Sequence, residues 1–347
     1  MSLTHPFRFA VVLLGEDTAS TFALPVEHSF EPEYEWTRFY WQRKGELGLA
    51  ANGNASSIIP IWSKAGEPYC QGYRIQIEKP EGDAVASDFP NSRFAGFADT
   101  AAARLVLEKK LREQEHFSYL LAAFPAQQEE PDGGGFSVVD ISPALPVQES
   151  SLQGFLACAA PSGVIHDDDV PVFVSRQVLD CAAEQTRAEA GTETGGILLG
   201  KLHRDAAAKE IFVELTAMIP AEHTIGTNVK LTFTPETWEG AEAALRLRSR
   251  GELLGGFAHS HPVFSWCGQR KCSLEKQRNC RLAKDFFSAD DEAVMRAAFP
   301  CPYHVAIVVN DTAFSDLTFS MFGYRRGGIQ PRGFYVLEEK THGESRT

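Results

Sequence analysis

His259 and His261 stand at i and i+2 in the string Ala258-His-Ser-His-Pro262. On an extended backbone side chains alternate with period two, so both imidazoles project to one side. That is the geometry of a metal-ligand pair, and zinc in hydrolases takes three protein ligands and keeps a fourth position open. The pair therefore needs a third ligand and a nearby carboxylate base, for which Asp291 and Glu193 are the candidates. Taken alone, each piece has a plainer reading. Two loop histidines can simply be satisfied by hydrogen bonds. Ser288-Ala-Asp-Asp291 matches a capping box, and Glu193 beside Gly195 and Gly196 suits a turn.

The elements around these residues are legible from periodicity. Ser175 can cap a helix to about Ala190 that Gly191 ends. The apolar run Ile197–Leu199, bounded by glycines, reads as a buried strand, as do Phe212–Ile219 and Val229–Phe233. Thr234 with Pro235 opens a helix that runs to about Arg250 and stops at Gly251. Leu253–Ala258 is the next strand, so the two histidines are expected where it breaks into a loop. A third helix is expected over Asp290–Ala298 behind Ser288, followed by a strand at Tyr303–Val309.

Order and company join the pieces. Glu193 ahead of Gly195-Gly-Ile-Leu-Leu-Gly200, then His259-Ser-His-Pro262, then Ser288-x-x-Asp291 resembles the JAMM (MPN-plus) family of zinc metalloproteases, prokaryotic type, over roughly residues 170–325. The resemblance implies an MPN domain with a mixed β-sheet flanked by helices. It implies zinc bound by His259, His261 and Asp291, Glu193 as general base, and Ser288 stabilising the tetrahedral intermediate. Zinc brings the pKa of water it binds to about 7, and a carboxylate can take the water's proton and return it to the departing amine. Members cleave peptide or isopeptide bonds after the C-terminus of ubiquitin or ubiquitin-like modifiers, in precursor maturation or deconjugation. A ubiquitin-like protein is therefore the implied substrate, with its activating or conjugating enzymes as implied partners. The alternative within the same resemblance is a non-catalytic MPN scaffold subunit. Pro300-Cys-Pro-Tyr-His304 faintly matches half of a zinc-deaminase motif, but that chemistry needs His-x-Glu where this chain has His-x-His.

The chain departs from the family pattern in one place: 26 residues separate His261 from Ser288, where the family's spacing is shorter. An insertion that leaves and returns to one place has a modest entropic cost. Between Val263 and Phe287 six bases face two acids, and Lys271, Lys276 and Arg278 are candidate substrate contacts. The same segment holds Cys267, Cys272 and Cys280, which with Cys301 or His304 could form a second, structural zinc site; buried free thiols are the alternative.

Seven cysteines spread over 347 residues do not form a disulfide framework. The formal charge of −13 argues against nucleic acid or an anionic membrane as partner, and no run suits a leader or a membrane helix. A soluble, cytoplasmic protein is expected. From Glu113 to Ser175 there is no Lys or Arg, and six prolines and a Gly133–Gly135 run accumulate. This suggests an acidic Pro/Gly-rich linker over 126–168. It would join an N-terminal α+β domain of unrecognised fold, 1–125, to the metalloprotease domain, 169–347. Within 1–125, strands are expected at Phe7–Leu14, Ser57–Trp62 and Tyr73–Ile77, and one long helix over Thr100–Phe124. The aromatic run from Phe30 to Trp41 suits a packed core better than a recognition surface.

Overall fold

The computed structural model describes residues 3–15, 21–49, 54–112, 116–126, 144–189, 191–221, 225–226, 231–263, 286–311 and 317–338. The chain divides into two units, Met1–Trp41 with Glu46–Ala144, and Gln42–Gly45 with Leu145–Thr347. Both are α+β.

The first unit contains β1 (Leu3–Thr4), β2 (Phe7–Gly15), β3 (Thr21–Pro25), α1 (Glu31–Arg43), β4 (Ser56–Trp62), β5 (Tyr69–Glu78), β6 (Ala84–Pro90), α2 (Ala95–Leu107) and β7 (Phe117–Pro125). The strands form one sheet in the order β1-β4-β5-β7-β2-β3, with β6 on β5. Alternation builds its core: in β5, Tyr73, Ile75 and Ile77 are buried while Arg74 and Glu78 face out. Phe30, Tyr34, Trp36 and Phe39 are buried too, so the aromatic run is core. The long helix expected over Thr100–Phe124 is instead a shorter helix followed by a strand. α2 ends where Lys109 takes a left-handed φ of 58° and the amides of Lys110 and Leu111 turn back onto the Leu105 carbonyl. The apolar stretch from Tyr119 to Phe124 then pairs with β2 along its length.

The second unit contains β8 (Val147–Glu149), α3 (Leu152–Leu156), β9 (Ala159–Ser162), β10 (Val172–Ser175), α4 (Arg176–Ala188), β11 (Gly195–Asp205), β12 (Glu210–Pro220), β13 (Ile225–Gly226), β14 (Leu231–Thr232), α5 (Pro235–Arg248), β15 (Leu253–His261), α6 (Ala289–Ala298), β16 (Val305–Asn310), β17 (Thr318–Arg325), β18 (Gly328–Arg332) and β19 (Phe334–Leu337). Its main sheet is mixed, in the order β18-β17-β16-β15-β11-β12-β10-β19-β9, with β8 on β11. β10 runs parallel to β12 and β19, and β15 parallel to β16. Part of the stretch read as a linker therefore carries β8, α3 and β9, while 127–143 lie outside the described residues.

Helices cover both faces of this sheet. On one, Ile197, Leu199, Phe257 and Val308 pack with Ala241 of α5 and Met295 of α6. On the other, Ala182 and Thr186 of α4 line a small gap with Met218, Ala258 and Val309. Ser175 and Thr234 stand at the N-caps of α4 and α5, yet neither side chain makes a capping bond. Among the described residues no helix is long and apolar enough to cross a membrane.

Candidate metal centre

β15 does not break after Ala258; it stays a strand through His261 because it is paired on both sides. Gly195 of β11 lies opposite His259, while Val308 and Asn310 of β16 lie opposite His259 and His261. A bulge between Leu198 and Leu199 admits Gly255 as an extra residue, and Gly256 takes φ +139°. A Cβ on Gly256 would stand 1.7 Å from the Val305 carbonyl oxygen, so only glycine allows β16 this close. Beyond the bulge Phe257, His259 and His261 share the face that α6 covers.

The ligand atoms converge. The Nε2 atoms of His259 and His261 are 2.9 Å apart; Asp291 Oδ1 lies 3.1 Å from the first and Asp291 Oδ2 3.5 Å from the second. Zinc bonds of about 2.0–2.1 Å in a tetrahedron put neighbouring ligand atoms roughly 3.3 Å apart. The three side chains fit that ion, and among the described residues they are the cluster with such a geometry. Both histidines are at most 2% exposed.

Local structure sets each group. The His259 ring stacks on Phe257 at 5.4 Å. Its Nδ1 is buried with no hydrogen-bond partner among the described residues, so stacking rather than an outer hydrogen bond fixes the ring. Asp291 is the third residue of α6, where Ser288 and Asp291 form the capping box the sequence suggested. The Asp291 amide donates to Ser288 Oγ at 3.1 Å and the Ser288 amide donates to Asp291 Oδ2 at 2.8 Å. Capping and ligand placement are thus one arrangement, because the bond that closes the helix start also aims the carboxylate at the imidazoles. α6 is itself anchored by Tyr324, whose hydroxyl donates to the Met295 carbonyl at 3.1 Å, and by Met295 and Phe299 in the core.

Glu193 precedes β11 by two residues and is 5% exposed. Burial pushes its carboxyl up to about 7; His259 opposes the rise, while Asp291 and Asp290 add to it. Burial also acts to raise Asp291, but His259 and the hydrogen bonds from both imidazoles and the Ser288 amide hold it well below the usual carboxylate range. His261 is lowered by burial and by its neighbour His259, against the pull of Asp291. Metal ligation requires an ionised carboxylate and a neutral imidazole, and the directions at Asp291 and His261 run that way.

Sequence reasoning missed Ser260. Its hydroxyl accepts the Thr194 amide at 2.9 Å, and its own amide donates to the Thr194 carbonyl at 2.7 Å. Period-two alternation was the available signal, since the residue between two ligands must face the opposite side. Of the remaining sequence candidates, Cys267, Cys272, Cys280, Lys271, Lys276 and Arg278 lie outside the described residues. Cys301 is partly exposed, and its backbone amide donates to His304 Nδ1 at 3.0 Å.

No family model and no curated protein matches this chain. Among solved structures, protein DSY2949 from Desulfitobacterium hafniense, determined in solution, is 17% identical. The match covers 51% of this chain and 99% of that one with a TM-score of 0.31, a likeness that carries no argument about fold or activity. The centre itself is a buried His-x-His…Asp cluster able to hold a metal ion and consistent with a zinc-protease active site.

Proposed function

We propose that this chain is a zinc-dependent peptidase or isopeptidase of the JAMM type that cleaves after the C-terminus of a ubiquitin-like modifier. The observation that carries the reading is the convergence of His259, His261 and Asp291, with a buried carboxyl group, Glu193, close enough to feel the charges of His259 and Asp291. A zinc ion held by those three would supply Lewis-acid polarisation of the scissile carbonyl and acidify water at neutral pH.

The chain's own residues do the proton work. Glu193 takes a proton from the attacking water as the water oxygen bonds to the carbonyl carbon. It then gives that proton to the departing nitrogen as the C–N bond breaks, leaving the modifier's carboxylate and a free amine. Ser288 Oγ accepts the Asp291 amide, and its hydroxyl proton remains to be donated to the developing oxyanion.

A ubiquitin-like protein fused to a C-terminal extension, incubated with and without chelator, tests the reading. Chelator-sensitive cleavage at the junction, abolished together with bound zinc in His261→Ala, is the expected result. Indifference to every such fusion alongside cleavage of unrelated short peptides would make the chain a generic peptidase. Absence of both zinc and cleavage would make it a scaffold.

A further inference from the structure

We propose that Ser260 is a positioning residue that holds the general base: from the back of the sheet it clamps the backbone on both sides of Glu193. The inference rests on the reading of Glu193 as base and gives a role to a residue to which the sequence analysis assigned none.

Glu193 lies in no helix or strand, so something else must fix its backbone. Its neighbour Thr194 is tied to Ser260 twice through the main chain: the Thr194 amide donates to Ser260 Oγ at 2.9 Å, and the Ser260 amide donates to the Thr194 carbonyl at 2.7 Å. The hydroxyls of Thr194 and Ser260 are 3.3 Å apart, and on the other side of Glu193 the Thr192 carbonyl lies 3.5 Å from Ser260 Oγ. One hydroxyl therefore accepts from the residue after the base and faces a carbonyl of the residue before it. A hydroxyl can do both at once because it carries one proton and two lone pairs.

Alternation explains the division of labour. Along β15, His259 and His261 face α6 while Ser260 faces α4, where it lines the gap that Thr194, Ala182 and Thr186 also line. Thr194 and Ser260 meet on that reverse side, and both are at most 4% exposed. The three residues His259-Ser260-His261 thus fix two ligands on one face and register the base from the other. The base and both histidine ligands are placed by a single strand, with no long side chain between them. A displacement of about 1 Å at a reacting group can cost on the order of a hundredfold in rate, so a short rigid clamp matters to turnover.

Three variants of the full chain test this: Ser260→Ala, Ser260→Thr and Glu193→Gln. Each is measured for zinc content, for kcat and KM on a modifier fusion, and for hydrogen exchange of the Thr194 amide by NMR. Ser260→Ala is expected to keep its zinc and KM and to lose kcat about ten- to hundredfold. Its Thr194 amide should exchange at least tenfold faster, while the Ile197–Leu199 amides of β11 keep their protection. Ser260→Thr, which restores the hydroxyl, should recover both kcat and Thr194 protection. A merely structural serine would move the β11 amides, the zinc content or KM together with kcat, and that pattern would overturn the proposal. Unchanged Thr194 exchange in Ser260→Ala would also overturn it. If Glu193→Gln keeps full turnover with zinc bound, the base reading falls and the clamp with it. If Glu193→Gln is inactive while Ser260→Ala is not, only the clamp falls.

Discussion

At position 291 one carboxylate has two functions that substitution can separate. Its Oδ2 accepts the Ser288 amide as a helix cap, and both of its oxygens face imidazole nitrogens. Asparagine keeps an oxygen that can accept the Ser288 amide but has no charge to offer a cation. Asp291→Asn is therefore expected to keep the helix start capped and to lose most of its zinc. Ser288→Ala does the reverse: it removes the acceptor for the Asp291 amide, at about 1 kcal/mol, while the ligand set remains. Urea unfolding of the metal-free proteins and zinc titration of each would check the pair; if Asp291→Asn binds zinc as wild type does, Asp291 is only a cap. At this scale the sequence was informative about residue types but could not choose between functions. Ser288-x-x-Asp291 reads equally as capping box and as ligand carrier, and it is both. Ser260 escaped notice because serine between two histidines has no signature until the face it occupies is known.

At the scale of elements, strands were legible where apolar and β-branched residues concentrate over a short run, as in Phe7–Gly15 and Ser56–Trp62. The misreading of Thr100–Phe124 has a physical cause. Past Leu107 the chain continues with Glu108, Lys109, Lys110, Leu111 and Arg112, all good helix formers, so nothing in that run distinguishes a helix end from a helix middle; tertiary pairing of Phe117–Pro125 with β2 decides it. The bulge in β15 was also invisible, since Gly255-Gly256 reads as a weak spot in a strand, yet it is what allows β15 to lie against β16. Gly256→Ala should therefore be far more damaging than Gly251→Ala. At Gly256 a Cβ meets the Val305 backbone and φ lies outside the range of L-residues. At Gly251, with φ +69°, it meets only the end of the Gln148 side chain at 3.0 Å. Expected losses are upwards of about 3 kcal/mol, or failure to fold, for Gly256→Ala and roughly 1 kcal/mol for Gly251→Ala. Zinc should be lost only in the former. Equal unfolding midpoints for the two would mean that β15 does not need its bulge.

Across the whole molecule, opposing terms govern the response to acid. The formal charge of −13 relaxes toward zero as pH falls, which relieves repulsion in the folded state. That relief is spread over a surface where charges are screened beyond about 8 Å at physiological salt. Against it stands His304, 6% exposed, whose pKa burial pushes down to about 4 although hydrogen bonds involving the Phe299 and Leu254 backbone oppose the shift. Between pH 6.5 and about 4 the unfolded chain binds a proton at this ring that the folded chain refuses. The ring's contribution is thus fully present above pH 6.5 and is lost as pH falls through that window, at up to about 1.4 kcal/mol per pH unit. Asp169 takes over lower down. It is paired with Arg325 at 2.8 and 3.0 Å and held below its ordinary value, burial notwithstanding, by that pairing, by Arg332 and by the His166 amide. Its contribution is present above pH 3.8 and fades below it. Glu193, raised to about 7, acts the other way over the same interval, because the folded chain takes up its proton before the unfolded chain does. The His304 contribution therefore shows as a difference: relative to wild type, His304→Gln, which cannot titrate, should be less stable at pH 7 and should gain on it as pH falls to 4.5. Urea unfolding free energies at half-unit steps for both proteins would check this, and parallel profiles would show that His304 is not the group that titrates.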